Sequence, residues 1–501
     1  MKNKFIYLTL LAAGLVACEP EFDNEVSNAS YSAGDADFTS YVAIGNSLTA
    51  GFMDGTVSRV GQTYSFPNLL SQQFALVGGG EFTQPSFEDD VNNLGGLTLG
   101  GMPLPGVNTR LIINASAGGP EPIAGTSTIE VSSLQATAYN NMGVPLAKSF
   151  HLLAPGYGNL AGVATGQANP YFVRHATSPA ATVMEDAMSK NPTFFTNWIG
   201  NNDVLSFATS GGAGVSQEGN LDPSTYGPDD ITDSNVFAAS YSAITDMLTA
   251  NGAKGVVATI PNVTSIPYFT TVPYNPVPLD AQTAAAVNAG FAQYNQGLLA
   301  ARGAGLISGD EAEARRVTFS EGSRNRLVIE DEYLTDLSAL GLPSYRQTTP
   351  DDLIVLTART VIGTPVGGNP QMINGVTVPL ADNWVLVPQE RQLVDEATQN
   401  FNNTIRAIAA SKDLAVADMN AILNELVSGL RFDDGTIYTA DYFSTSSLST
   451  VLFSLDGIHP NARGYALIAS EVIKVINEHY NAKLPLLNPA YYPGATVLPT
   501  N

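Results

Sequence analysis

The chain has 501 residues, 44% of them hydrophobic, with a formal charge of −24. That is enough apolar material for a sizeable core, and 46 glycines and 30 prolines point to many loops. The acidic balance argues against nucleic acid and bare anionic membranes as partners. A single cysteine excludes an intrachain disulfide.

The first residues read as an export signal and not as part of a fold. Lys2 and Lys4 give a positive start, Phe5–Gly14 is apolar, and Leu15-Val16-Ala17 leads to Cys18. This stretch resembles the lipobox of bacterial lipoproteins, which implies cleavage after residue 17 and lipidation of Cys18. Glu19, Glu21, Asp23 and Glu25 resemble the acidic export signals of surface lipoproteins in Bacteroidetes-type bacteria. The implied location is the cell envelope, as an outer-membrane lipoprotein exposed at the surface. No other apolar run approaches the roughly 20 residues that span a bilayer. The membrane is therefore expected as a partner only through the lipid. Residues 18–37 are polar, small and acidic, and are expected to be a flexible linker.

The pattern of the main domain, residues 38–483, begins with Tyr41–Ile44, a short β-branched apolar run that reads as a buried strand. It runs into Gly45-Asn46-Ser47, and Leu48-Thr49-Ala50 can begin a helix. A second helix is expected around Tyr64–Phe74. Residues 78–119 are rich in glycine and proline and read as a long excursion. Thr137–Gly143 resembles a second strand, and Phe194–Ile199 a third that ends at Gly200-Asn201-Asn202-Asp203. Residues 208–233 form a Gly/Ser/Asp-rich insertion. Val236–Ala250 has helical spacing and is stopped by Asn251-Gly252. Gly255–Ile260 is a strand. Pro267–Pro278 mixes proline with aromatics, and reads equally as a cleft wall and as an extended structural loop.

Ala281–Ala301 and Gln389–Ser411 read as helices, with an inserted, partly β segment over 326–387 between them. Leu414–Ala417 is the next core strand, Ala462–Tyr480 the last helix, and 484–501 a proline-rich coil. Core strands and helices thus alternate. That order implies an α/β fold, a three-layer α/β/α sandwich around a parallel, flavodoxin-like sheet, with loop and partly β insertions.

Ser47 stands where a strand leaves such a sheet, at the carboxyl edge where ligands bind. It reads either as a nucleophile or as a helix cap. A hydroxyl nucleophile needs a base. Of the four histidines, His459 lies in Asp456-Gly457-Ile458-His459-Pro460, where a carboxylate three residues earlier can reach the imidazole and fix its tautomer. His151 reads as a pocket-wall residue, and His175 and His479 as surface residues. Asn202, at the end of the third strand, offers an amide to a developing oxyanion, and Asp203 behind it can orient the loop. The acidic pairs Asp89-Asp90, Asp229-Asp230, Asp351-Asp352 and Asp433-Asp434 lack calcium-ligand spacing and read as solvated loops.

Gly45-Asn46-Ser47-Leu48, Gly200-Asn201-Asn202-Asp203 and Asp456-Gly457-Ile458-His459, in that order, resemble the SGNH/GDSL hydrolase family of lipases and esterases. The first block departs from the family by carrying asparagine at position 46 in place of aspartate. The resemblance implies Ser47 as nucleophile, Asp456 and His459 as its partners, and an oxyanion hole from the N–H of Ser47, the amide of Asn202 and one further backbone N–H. The block that supplies that last donor matches Asn141–Leu146 best, where Leu146 stands in place of the family's glycine. A rival placement is Asn114–Gly118. The implied activity is carboxylic-ester hydrolysis on a lipid, a small ester or an acetylated glycan, with no cofactor and no metal. Carbohydrate O-deacetylation, or glycan or lipid binding without catalysis on the same fold, are the alternatives.

Overall fold

The computed structural model describes residues 30–114, 119–432, 435–444 and 447–494. Five strands form a parallel sheet: β1 (Tyr41–Gly45), β2 (Asn141–Gly143), β3 (Phe194–Trp198), β4 (Lys254–Ala258) and β5 (Ala415–Ala417). Their spatial order is β2-β1-β3-β4-β5, one of the common orders of doubly wound sheets. Gly45 lies opposite both Gly143 and Trp198, so the carboxyl ends of three strands emerge together.

Apart from exposed Lys254 and half-buried Val416 the strands are buried, and alternate residues serve different cores. Val42 and Ile44 join Phe195, Val257 and the apolar sides of three helices, α3 (Asn202–Thr209), α4 (Ser234–Thr249) and α6 (Pro388–Ser411). Tyr41 and Ala43 join Phe194, Val256 and Ala417 in a second core against α2 (Phe66–Ala75) and α8 (Ala462–His479). The chain is thus an α/β protein with a central parallel sheet. The remaining helices used below are α1 (Ser47–Ala50), α5 (Ala281–Gly303) and α7 (Met419–Ser428).

Most expected elements are present within a few residues. The helix expected over 64–74 is two, Arg59–Tyr64 and α2, divided at Ser65, whose extended ψ of 140° breaks the run before Pro67. Helix α7 and a short helix at Val183–Met188 have no counterpart in the sequence reading. The 326–387 segment is partly β, built from short antiparallel pairs. Its Leu327, Val328 and Ile329 enter the first core, so it packs on the main domain.

Three of the acidic pairs differ from the expectation of solvated loops. Asp90, Asp230 and Asp352 are buried. Each accepts from its own loop or from arginine: Gly95 N–H to Asp90, Val215 and Gly227 N–H to Asp230, and Arg346 to Asp352. A turn whose amides converge on one carboxylate can bury it, because the charge is met by donors. Asp433 and Asp434 lie outside the described residues, as do Cys18 and the whole segment 1–29.

The two ends of the described chain meet. Ser32 pairs with Lys483, Asp35 N–H donates to Tyr480 O, and Ala36 is buried. The part of the linker from Ser32 onwards is therefore held against the domain. The tail after 483 has little regular structure, yet Leu484 and Leu487 are buried in the second core. Among the described residues no helix is long and apolar enough to cross a membrane.

Candidate active site

Helix α1 is a single turn of four residues. Asn46 caps it, its side chain accepting from Leu48 N–H at 3.2 Å, and Gly51 closes it in the left-handed region. Ser47 is the first residue of that turn and is 7% exposed. The turn sits this close to the sheet because of Gly143: a Cβ there would lie 2.3 Å from Ala50 N. The glycine serves the approach of β2 to the serine-bearing turn.

His459, 412 residues away, reaches the same spot. Its Nε2 is 2.8 Å from Ser47 Oγ, and its Nδ1 is 2.9 Å from Asp456 Oδ2. Phe52 packs on the imidazole with ring centroids 4.4 Å apart. Asp456 is held from several sides. Its Oδ1 accepts from Ile458 N–H and His459 N–H, both at 2.8 Å, and from Ser454 Oγ. Its Oδ2 also accepts from Gly55 N–H at 3.1 Å. Burial works to raise this carboxyl, but the imidazole beside it and these donors outweigh burial and hold it below the ordinary carboxylate value. The group therefore stays charged and fixes Nδ1 as the protonated nitrogen, leaving Nε2 to accept the serine proton.

Among the described residues, three N–H donors from the motif residues have hydrogens not taken up by the protein: the backbone N–H groups of Ser47 and Leu146 and the Asn202 amide. Asn202 opens α3 and uses one amide hydrogen on Ala147 O at 3.0 Å, leaving the other of its two. Leu146 precedes Ala147 in a turn closed by Ala147 N–H to Val144 O, with Pro145 and Leu146 at its centre. Val144 N–H in turn donates to Gly45 O, two residues before Ser47. Leu146 has φ +66°, which with proline before it makes a type II turn, where glycine is the usual third residue. Its side chain is 61% exposed, so it turns outward to solvent. Among the described residues, the N–H groups of Ser47 and Leu146 donate to no protein acceptor. Asn141–Gly143 pairs with β1, whereas Asn114 ends a strand of an antiparallel hairpin away from the sheet, and residues 115–118 of the rival placement lie outside the described residues.

The other candidates sort differently. Asp203 is buried and accepts from Ser149 N–H and Oγ, fixing the segment after the Leu146 turn. His151 accepts Lys148 N–H on Nδ1 and stacks on Tyr157; burial and the Lys148 charge lower it to about 4, so it is neutral. His175, expected at the surface, is 2% exposed, packed against Phe172 and Tyr139. Burial and Arg174 lower it to about 3. Arginine next in sequence suggested a wet surface, but Arg174 is itself buried and paired with Asp89. His479 is exposed as expected.

One residue beside the site has no sequence signal beyond its turn context. Asp54 accepts from Leu455 N–H at 3.0 Å, and its own N–H donates to Ser454 Oγ. These bonds tie the turn after α1 to the loop that carries Asp456. Beside this loop lies a cavity of about 720 Å³ lined by Thr270, Thr271, Val272, Pro273, Arg359 and Tyr442. Tyr442 donates to Leu455 O at 2.6 Å. The 267–278 segment thus walls a cleft on the side of the histidine loop.

Comparison of the chain with protein-family models, with curated proteins and with solved structures found no match in any of the three.

Proposed function

We propose that the chain is a serine-dependent carboxylic-ester hydrolase of SGNH/GDSL type, built as a three-layer α/β/α sandwich and carried on the cell envelope by a lipid at Cys18. The observation that carries the reading is the unbroken relay from Asp456 to His459 to Ser47, at 2.9 and 2.8 Å. His459 Nε2 takes the proton as Ser47 Oγ attacks the ester carbonyl. The N–H groups of Ser47 and Leu146 and the Asn202 amide receive the developing negative charge. His459 then protonates the leaving alcohol, and water, activated by the same imidazole, releases the acid. The helices flanking both faces of the sheet support the sandwich. The resemblance of residues 1–18 to a signal ending in a lipobox supports the envelope location.

The test is hydrolysis of a short p-nitrophenyl ester by the full chain and by Ser47→Ala. The variant is expected to lose on the order of 10³-fold or more in kcat with an unchanged circular dichroism spectrum. Equal rates would reject Ser47 as nucleophile. A panel of acetyl, butyryl and long-chain esters with acetylated sugars separates esterase, lipase and deacetylase.

A further inference from the structure

Away from the serine, three carboxylates from separate stretches converge: Glu332, Asp382 and Glu390, each offering an oxygen within 4.8 Å of the others. Glu332 follows a strand of the inserted segment, Asp382 opens a short turn near its end, and Glu390 is the third residue of α6. Glu390 has no exposed surface. Its Oε2 accepts Val387 N–H at 2.8 Å, but Oε1 of the same carboxylate is sealed from solvent with no donor. Asp382 Oδ1 is in the same condition.

No cation of the described chain pairs with any of the three; the nearby Arg346 is committed to Asp331 and Asp352. Gly212, with φ +87°, lays the backbone after α3 directly on the cluster, since a Cβ there would meet Glu390 Cδ at 2.1 Å.

A buried carboxylate oxygen without a donor is destabilising unless a proton or a cation meets it. The donor set is all oxygen and all anionic, which suits a hard cation and not zinc or copper. Oxygens bound to one Ca²⁺ at about 2.4 Å lie at most about 4.8 Å apart, and this cluster meets that limit. Magnesium prefers to keep several waters and few carboxylates. We propose that Glu332, Asp382 and Glu390 bind one calcium ion, which clamps the 326–387 segment to the ends of α3 and α6. This site departs from the expectation of no metal, and it is independent of the ester-hydrolase reading.

The test is calorimetric titration and thermal unfolding of the EGTA-dialysed full chain with CaCl₂ and, separately, MgCl₂. One Ca²⁺ per chain is expected, at least tenfold tighter than Mg²⁺, with a rise in Tm. Glu332→Gln, at the exposed edge of the cluster, is expected to weaken Ca²⁺ binding at least tenfold. Glu390→Gln is expected to abolish it, and Glu332→Gln carries the test if Glu390→Gln does not fold. Absence of a calcium response in the wild type, or unchanged affinity in Glu332→Gln, overturns the proposal; the carboxylates then share protons.

Discussion

At the scale of single residues, Asn202 concentrates the chemistry of the site. One of its amide hydrogens fixes Ala147 O and so the Leu146 turn, while in the hydrolase we propose the other meets negative charge that exists only as the reaction proceeds. Such a donor acts on the transition state more than on bound substrate. Asn202→Ala is therefore expected to lower kcat by about 10²- to 10³-fold with little change in KM, read by steady-state kinetics alongside a melting curve. A rise in KM at constant kcat would assign Asn202 to substrate binding instead. The motif made this residue legible, as it did Ser47, Asp456 and His459. Leu146 was legible as a position and not as a conformation. Its left-handed φ follows from Pro145 before it and the Ala147–Val144 bond, a pairing that sequence reading weighs poorly when leucine stands where glycine is usual. His175 was misplaced because the burial of its neighbour Arg174 depends on Asp89, 85 residues earlier.

At the scale of elements, the histidine loop is held by a turn it never meets in sequence. Asp54 receives Leu455 N–H, and Ser454 Oγ links Asp54 N–H to Asp456. Burial raises Asp54 from 3.8 to about 6; the Leu455 bond opposes that and the Asp456 charge adds to it. A carboxyl raised by folding stabilises the protein fully below 3.8, and that contribution is lost as pH climbs through about 6. The loss amounts to about 3 kcal/mol at most. Asp54→Asn keeps an acceptor for Leu455 without the charge. Its Tm is expected to gain on that of the wild type between pH 4 and pH 8, and parallel curves would contradict the account. Elements with strong periodicity, such as α4, α6 and α8, were readable because each buries one apolar side. Helix α7 was not, since it follows β5 so closely that strand and helix blur into one apolar stretch.

At the scale of the whole molecule, the chain ends close the second core. Leu487 exchanges bonds with Ser470 Oγ through both its N–H and its C=O, and Asn477 does the same with Leu484. Removing residues 484–501 takes Leu484 and Leu487 out of the second core and leaves Ser470 Oγ and the Asn477 amide without these partners. A loss of about 3–5 kcal/mol is expected in urea unfolding; unchanged stability would show that the tail merely rests on the surface. The alternation of strands and helices and the motif residues Ser47, Asn202, Asp456 and His459 are properties of local chain, because periodicity and short motifs act over a few residues. Tertiary structure alone decided that Gly143 brings β2 against α1, that Asp54 holds the loop of Asp456, and that Glu332 and Asp382 converge on the buried Glu390. Each of those brings together stretches that short-range patterns do not link, and only the packed sheet and its helices place them side by side.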